Sequence, residues 1–156
     1  MSPKAHTIEK ATTKDLPAMA GLLKFLFTLE EDFSPDKKKQ MSGIEAILKQ
    51  PEFGSIFVLK QDGETIGMTS ILFTISTAMG GKVGILEDMV IHPHYRGQGM
   101  GGELIAKAIG EAKKAGCLRL TLLTDKTNIN AQRFYLRHDF NESAMKTMRM
   151  ILSEDE

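Results

Sequence analysis

The sequence predicts an α/β fold: a mixed, mostly antiparallel central sheet flanked by helices, in the order βααβββαβαβ. Three observations carry this. Leu16, Met19, Leu22, Leu23, Leu26 and Phe27 recur at helical spacing near the start of the chain. Strand-like runs cut by Asp62-Gly63 and Gly80-Gly81 fill the middle. Helices and strands then alternate to the end, which favours one sheet covered by helices.

Taken in order, His6 to Ala11 reads as a first strand. A helix follows from about Asp15, a suitable N-cap, with Pro17 in the first turn where its missing N–H costs nothing. A second helix runs from about Pro35 to Gln50 and stops at Pro51. Ser55 to Lys60 and Thr65 to Ser76 form a hairpin about Asp62-Gly63, and Val83 to Ile91 is the next strand. A helix from about Gly99 to Ala115, a strand from Leu118 to Thr124, a helix from Asn128 to Arg137 and a closing strand from Ser143 to Leu152 complete the reading. No repeat or linker interrupts it, so residues 1–156 read as a single domain.

Composition excludes several classes. Lys+Arg and Asp+Glu are both 20, giving no basic excess for nucleic acid or an anionic membrane. Neither a signal peptide nor an apolar run of about 20 residues is present, so a cytoplasmic location is expected. Cys117, the only cysteine, sits in an apolar run and reads as a small packed residue, not a nucleophile. His92 and His94 have no third ligand at a matching spacing, so no metal is expected and a capping role suits them.

The informative segment is Met89-Val90-Ile91-His92-Pro93-His94-Tyr95-Arg96-Gly97-Gln98-Gly99-Met100-Gly101-Gly102-Glu103. A strand runs into a turn with four glycines and on into an amphipathic helix. Free backbone N–H groups and the helix dipole at such a terminus attract an anion, and glycines let it approach closely. Residues 97–102 also satisfy GxGxxG, with Asp125 placed as a ribose-binding acid would be. The hairpin-connected strands before the motif, and its position late in the chain, argue against a dinucleotide domain.

Arg96-Gly97-Gln98-Gly99-Met100-Gly101 matches the Q/R-x-x-G-x-G/A signature of the GNAT acetyltransferase superfamily, which this chain resembles along its whole length. Glu87-Asp88-Met89-Val90-Ile91-His92-Pro93 is similar to the strand before that loop. Asn128-Ile129-Asn130-Ala131-Gln132-Arg133-Phe134-Tyr135, followed by Asp139-Phe140, resembles the family's N-x-x-A-x-x-F-Y…G-F segment, with Asp139 where Gly is usual. The resemblance implies an N-acetyltransferase that uses acetyl-CoA without a metal. It also implies that the backbone of Met89, Val90 and Ile91 pairs with the pantetheine arm. The loop from Arg96 through Gly97, Gln98, Gly99, Met100, Gly101 and Gly102 would hold the pyrophosphate, and Asn128 would steady the cofactor arm. Arg133 or Lys126 would be available to the nucleotide phosphates. A homodimer is expected by the same analogy.

The chemistry adds its own demands. A primary amine with a pKa near 10.4 gives up its proton at pH 7 at a cost of about 4.6 kcal/mol, so a general base helps. Glu87 and Asp88 are adjacent on a strand and should point to opposite faces. By resemblance Glu87 is the expected base, with Asp88 as alternative, and a strand N–H near Met89 or Val90 is the expected oxyanion donor. Tyr135 matches the family's general acid for the departing thiolate. Glu30, Glu31 and Asp32, between the first two helices, suggest an acidic cleft for a small cationic amine. A non-catalytic acyl-CoA sensor is the alternative from another class.

Overall fold

The computed structural model describes residues 5–29 and 35–153. Strand β1 (His6–Lys10) leads through a 3-10 turn at Thr13–Asp15 into helix α1 (Leu16–Leu29). Helix α2 (Lys37–Leu48) follows, and then strands β2 (Gly54–Gln61), β3 (Glu64–Ser76) and β4 (Gly81–Ile91). Helix α3 (Met100–Lys114), strand β5 (Leu120–Leu122) and helix α4 (Ile129–Arg137) complete the elements. The sheet order is β1-β2-β3-β4-β5, antiparallel except for the parallel pair β4–β5 that α3 connects.

Local chemistry explains the boundaries. The Thr12 amide donates to Asp15 Oδ2 at 2.8 Å, closing a capping box ahead of α1. Asp36 caps α2 by accepting from the Lys39 amide at 3.1 Å. Asp62 and Gly63 both take positive φ, 52° and 81°, as a two-residue hairpin loop between β2 and β3 requires.

Alternation along the strands sorts the core into two layers. Met19, Leu22 and Leu23 of α1 and Ile44 of α2 pack on Ile56, Val58, Met68 and Val90. On the other face Leu104, Ile105, Ala108 and Ala112 of α3 pack on Phe57, Ile71 and Leu86. Gly84 makes room in the second of these layers for the neighbouring strands' side chains: a Cβ there would meet Ile71 and Leu120 at 2.8 Å.

One expected element is absent from this arrangement. Residues 143–152, whose pattern reads as a closing strand, form no strand and are exposed throughout. A strand needs an edge to pair with, and this segment is not laid against β5. The predicted strand Leu118 to Thr124 also shrinks to Leu120–Leu122, the three residues that β4 pairs.

Candidate active site

The site is built where β4 and β5 part company. β5 pairs Gly84 to Leu86 and stops. Beyond Leu86, β4 pairs only with β3 among the described residues, so the side of 87–91 that faces away from β3 carries none of the described strands. The backbone edge at Met89, Val90 and Ile91 is therefore open to an extended ligand, except at the Ile91 carbonyl, which Arg96 occupies.

The strand is also bent at this point. Ser70 opposes Glu87 and Met68 opposes Val90, so Thr69 faces the two residues Asp88 and Met89. This is a β-bulge, with Asp88 in the left-handed region at φ 54°. The buried hydroxyls of Thr69 and Ser70 both donate to the carbonyl of Glu87, at 3.1 and 3.2 Å, and pin it. Simple alternation along β4 is thus interrupted at Glu87 and Asp88. Asp88 lines a cavity between the sheet and the first two helices.

Glu87 keeps solvent access, yet burial raises its carboxyl pKa above the usual range, only partly offset by the Arg149 guanidinium. A carboxylate held reluctant to ionise is a better proton acceptor than an ordinary surface glutamate.

After β4 the chain turns through Pro93–Tyr95. The His92 amide donates to the Ile66 carbonyl at 2.7 Å, and His92 Nδ1 accepts from the His94 amide at 3.1 Å. His92 thus caps the turn. Arg96 Nε donates to the Ile91 carbonyl at 2.9 Å, so this side chain braces the loop across its mouth. Gly97 and Gly99 both lie at φ 79°, with open space where a Cβ would stand. Gly99 is the N-cap of α3, and no side chain caps that helix.

The glycines divide the work. Gly97 and Gly99 supply the left-handed turns. Gly102 lets α4 approach, since a Cβ there would meet the His138 ring at 3.2 Å, whereas a Cβ at Gly101 would stand in ordinary contact with the Phe134 ring at 3.5 Å. Uncapped amides at the start of a 15-residue helix, beside exposed Gly97, Gln98 and Gly99, suit a diphosphate. Met100 is buried beneath the turn and anchors it.

Helix α4 forms the far side. Asn128 Oδ1 accepts from the Ala131 amide at 3.1 Å, so this oxygen caps the helix. Tyr135 is half-buried, edge-on to Phe134 and Phe140 with ring centroids 5.4 and 5.9 Å apart. Arg133 and Lys126 are exposed. Burial raises the pKa of the half-buried Cys117 thiol, the behaviour of a packing residue.

The cavity at Asp88 measures about 280 Å3 and is walled by Leu23, Phe27, Ile44, Ile47, Ile56 and Met68, with Asp36, Lys39 and Gln40 contributing polar groups. Gln40 is 7% exposed, and its buried Nε2 has no hydrogen-bond partner among the described residues. Nothing in the sequence separates Gln40 from any other polar helix residue. Glu30, Glu31 and Asp32, expected to make the cleft acidic, lie outside the described residues. Among the described residues no helix is long and apolar enough to cross a membrane.

A glycine turn at a helix N-terminus, an open strand edge and two carboxylates at a bulge thus stand close together in sequence on β4 and α3. Comparison with known proteins gives the class. The Acetyltransferase (GNAT) family model matches residues 20–140, and the chain belongs to that family. It is an acyltransferase. It is 30% identical over 136 residues to an aminoalkylphosphonate N-acetyltransferase of Salmonella typhimurium, covering 87% of this chain and 85% of that one. An N-acetyltransferase of Bacillus subtilis is 31% identical over 138 residues, covering 86% and 89%. A possible acetyltransferase of Clostridium difficile shares the fold with a TM-score of 0.84 at 19% identity, covering 96% and 99%. A predicted acetyltransferase of Clostridium acetobutylicum, solved with acetyl-CoA, aligns with a TM-score of 0.78 at 18% identity, covering 94% and 96%.

Proposed function

We propose that this chain, as one domain, transfers the acetyl group of acetyl-CoA to the primary amine of a small molecule held in the cavity at Asp88. The observation that carries the reading is the β4 bulge. It lies next to the backbone edge at 89–91, and it carries Asp88 into the wall of the apolar cavity, with Glu87 adjacent in the chain.

Acetyl-CoA supplies an activated thioester. The amides of the Gly97–Gly102 turn hold its diphosphate, and the edge of Met89, Val90 and Ile91 aligns its extended arm. Glu87 takes the ammonium proton, directly or through water, and its raised pKa suits the task. Asp88, which lines the cavity, is the alternative base. Tyr135 donates a hydrogen bond as charge develops on the leaving sulfur. A phenol pKa of about 10 lies above a thiol's 8.5, so full proton transfer from Tyr135 is uphill by roughly 2 kcal/mol. Holding both substrates at once favours direct attack in a ternary complex.

The cavity narrows the expected acceptor. Its walls are mostly apolar, Asp88 and Asp36 favour a cation, and Lys39 with the unpartnered Gln40 Nε2 favours an oxygen acceptor. An amine that also carries hydroxyl, carboxylate or phosphonate oxygens satisfies all of these. The Salmonella typhimurium relative, an aminoalkylphosphonate N-acetyltransferase, fits that description. The test is thiol release from acetyl-CoA with aminoalkylphosphonates, amino sugars, amino acids and polyamines, alongside thermal shifts with acetyl-CoA alone. Turnover with oxygen-bearing amines supports the reading. A thermal shift without turnover on any amine would favour a sensor instead.

A further inference from the structure

Acetyl transfer leaves a second cleft unused, on the face of the sheet that α3 covers. It measures about 390 Å3 and opens between the end of β1, the starts of β2 and β4, and the last turn of α3. It shares no lining residue with the Asp88 cavity, which lies on the other face. Ala112, at the cleft, stands about 18 Å along the α3 axis from Met100 at the glycine turn. A volume of this size is that of a small-molecule site.

Strand register assembles the lining. Lys10 stands across from Phe57 on β2, Ser55 across from Ile71 on β3, and Phe73 across from Gly84 on β4. Cross-strand partners share a face, so all of these side chains are turned toward α3. Buried Phe57, Ile71 and Ala112 make an apolar floor that half-buried Phe73 continues outward.

The polar groups above that floor are mostly donors. Lys82 Nζ lies 5.0 Å from the centroid of the Phe73 ring and donates to the Ala115 carbonyl at 3.2 Å. These contacts fix a half-buried ammonium that still has donors to spare. The Ser55 hydroxyl and the Lys10 ammonium have no hydrogen-bond or ion-pair partner among the described residues. Two carboxylates also line the cleft. Glu111 is already paired, with Lys107 at 3.2 Å and Lys114 at 3.6 Å, while Glu52 is exposed. The end of α3 is satisfied as well: the Ala112 carbonyl accepts from the Cys117 amide and that of Lys113 from the Gly116 amide, each at 3.0 Å. Lys10 and Lys82 therefore outnumber Glu52, a small excess that suits a monoanion better than a dianion.

We propose that this cleft is a second ligand site, for a small amphipathic carboxylate. Its apolar part lies on Phe57, Ile71 and Phe73, and its carboxylate accepts from Lys82, Ser55 and Lys10. The floor residues Phe57, Ile71 and Ala112 also belong to the core that seats α3 on the sheet. The occupant thus bears on the helix whose other end carries the glycine turn.

The test titrates octanoate and benzoate into the isotope-labelled full chain and follows backbone amide shifts, with octanol and benzyl alcohol as uncharged counterparts. Saturation is expected with a Kd of about 1 mM, as suits ligands of about ten non-hydrogen atoms. The alcohols should bind at least about tenfold more weakly, because they forgo the hydrogen bonds of a charged group. Shifts should gather at residues 55–57, 71–73, 82 and 111–117 and persist when acetyl-CoA is added. No saturation by roughly 10 mM would overturn the proposal. So would shifts confined to residues 87–102, or alcohols that bind as tightly as the carboxylates. Lys10→Met, on an exposed side chain, should weaken octanoate about tenfold and leave acetyl-CoA binding unchanged. Ser55→Ala should weaken octanoate in the same sense, and unchanged affinity in both variants would show that the anion is not held here.

Discussion

The amide of Phe140 donates to the carbonyl of Tyr135 at 3.1 Å, and between them Asp139 donates to Leu136 at 3.3 Å. These bonds close α4 with a Schellman motif, and the Phe140 and Tyr135 rings make its apolar contact. The motif requires a left-handed residue at position 139, where Asp139 sits at φ 69°. The ring of the candidate acid is thus fixed by a turn that carries a strained residue. Asp139→Gly should relieve that strain and raise stability by about 0.5–1 kcal/mol. Urea midpoints at constant slope would measure it, and an unchanged or lower midpoint would contradict the strain.

Glu87 makes a prediction with two signs. Burial raises its pKa in the folded chain, so folding favours the protonated form. That contribution is fully present at pH below the unfolded value of about 4.3 and is lost as pH rises through the higher folded value. Glu87→Gln, which is neutral throughout, should raise the melting temperature at pH 7–8 and change it little at pH 4. The same variant should lower kcat by about 100-fold or more if Glu87 is the base. The acid limb of the wild-type kcat profile should also fall at a pH above 4.3, and disappear in the variant. Unchanged turnover in Glu87→Gln with loss in Asp88→Asn would move the role to Asp88.

Sequence reading succeeded where local rules decide. Asp62-Gly63 fixes a hairpin because only a few residues accept two successive positive φ values. The glycine turn was legible because left-handed backbone at 97 and 99 and close helix approach at 102 leave few other choices there. What stayed hidden depends on partners distant in sequence. The bulge that undoes strict alternation at Glu87 and Asp88 is held by hydroxyls of Thr69 and Ser70 across the sheet. The 143–152 segment does carry a strand pattern, but pattern says nothing of which edge the strand joins. Gln40 matters through the lack of a partner, a property of the packed interior alone.

Asp15 joins the start of α1 to the sheet. Its Oδ1 lies 2.9 Å from Lys60 Nζ and is 3.4 Å from the Thr65 hydroxyl that donates to it. Burial acts to raise its pKa, and is outweighed by the Thr12 amide, Lys60 and Thr65, which hold it below the usual range. The stabilisation is therefore present above the unfolded value of about 3.9 and is lost as pH falls through the folded one. Asp15→Ala should cost about 1.5–3 kcal/mol at pH 7, since hydrogen bonds to a buried charge are removed. The cost should shrink toward pH 2, and denaturant unfolding at both pH values would check it; an equal loss at both would assign it to packing.

Gln40 separates fold from function. Its Nε2 is a desolvated donor with no partner among the described residues, on a side chain 7% exposed against the cavity. An unsatisfied buried group of this kind costs about 1–3 kcal/mol, so a residue kept only for folding would be better replaced by an apolar one of similar shape. Gln40→Leu should consequently leave stability unchanged or raise it by about 1 kcal/mol. If the donor awaits an oxygen of the acceptor, KM for the amine should rise about tenfold, as one hydrogen bond implies, while KM for acetyl-CoA stays constant. The discriminating comparison uses paired amines with and without the oxygen-bearing group. The variant should handle the deoxygenated amine as well as the wild type does and lose only the preference between the two. Equal losses on both amines would mean that Gln40 shapes the cavity walls without bonding to the acceptor.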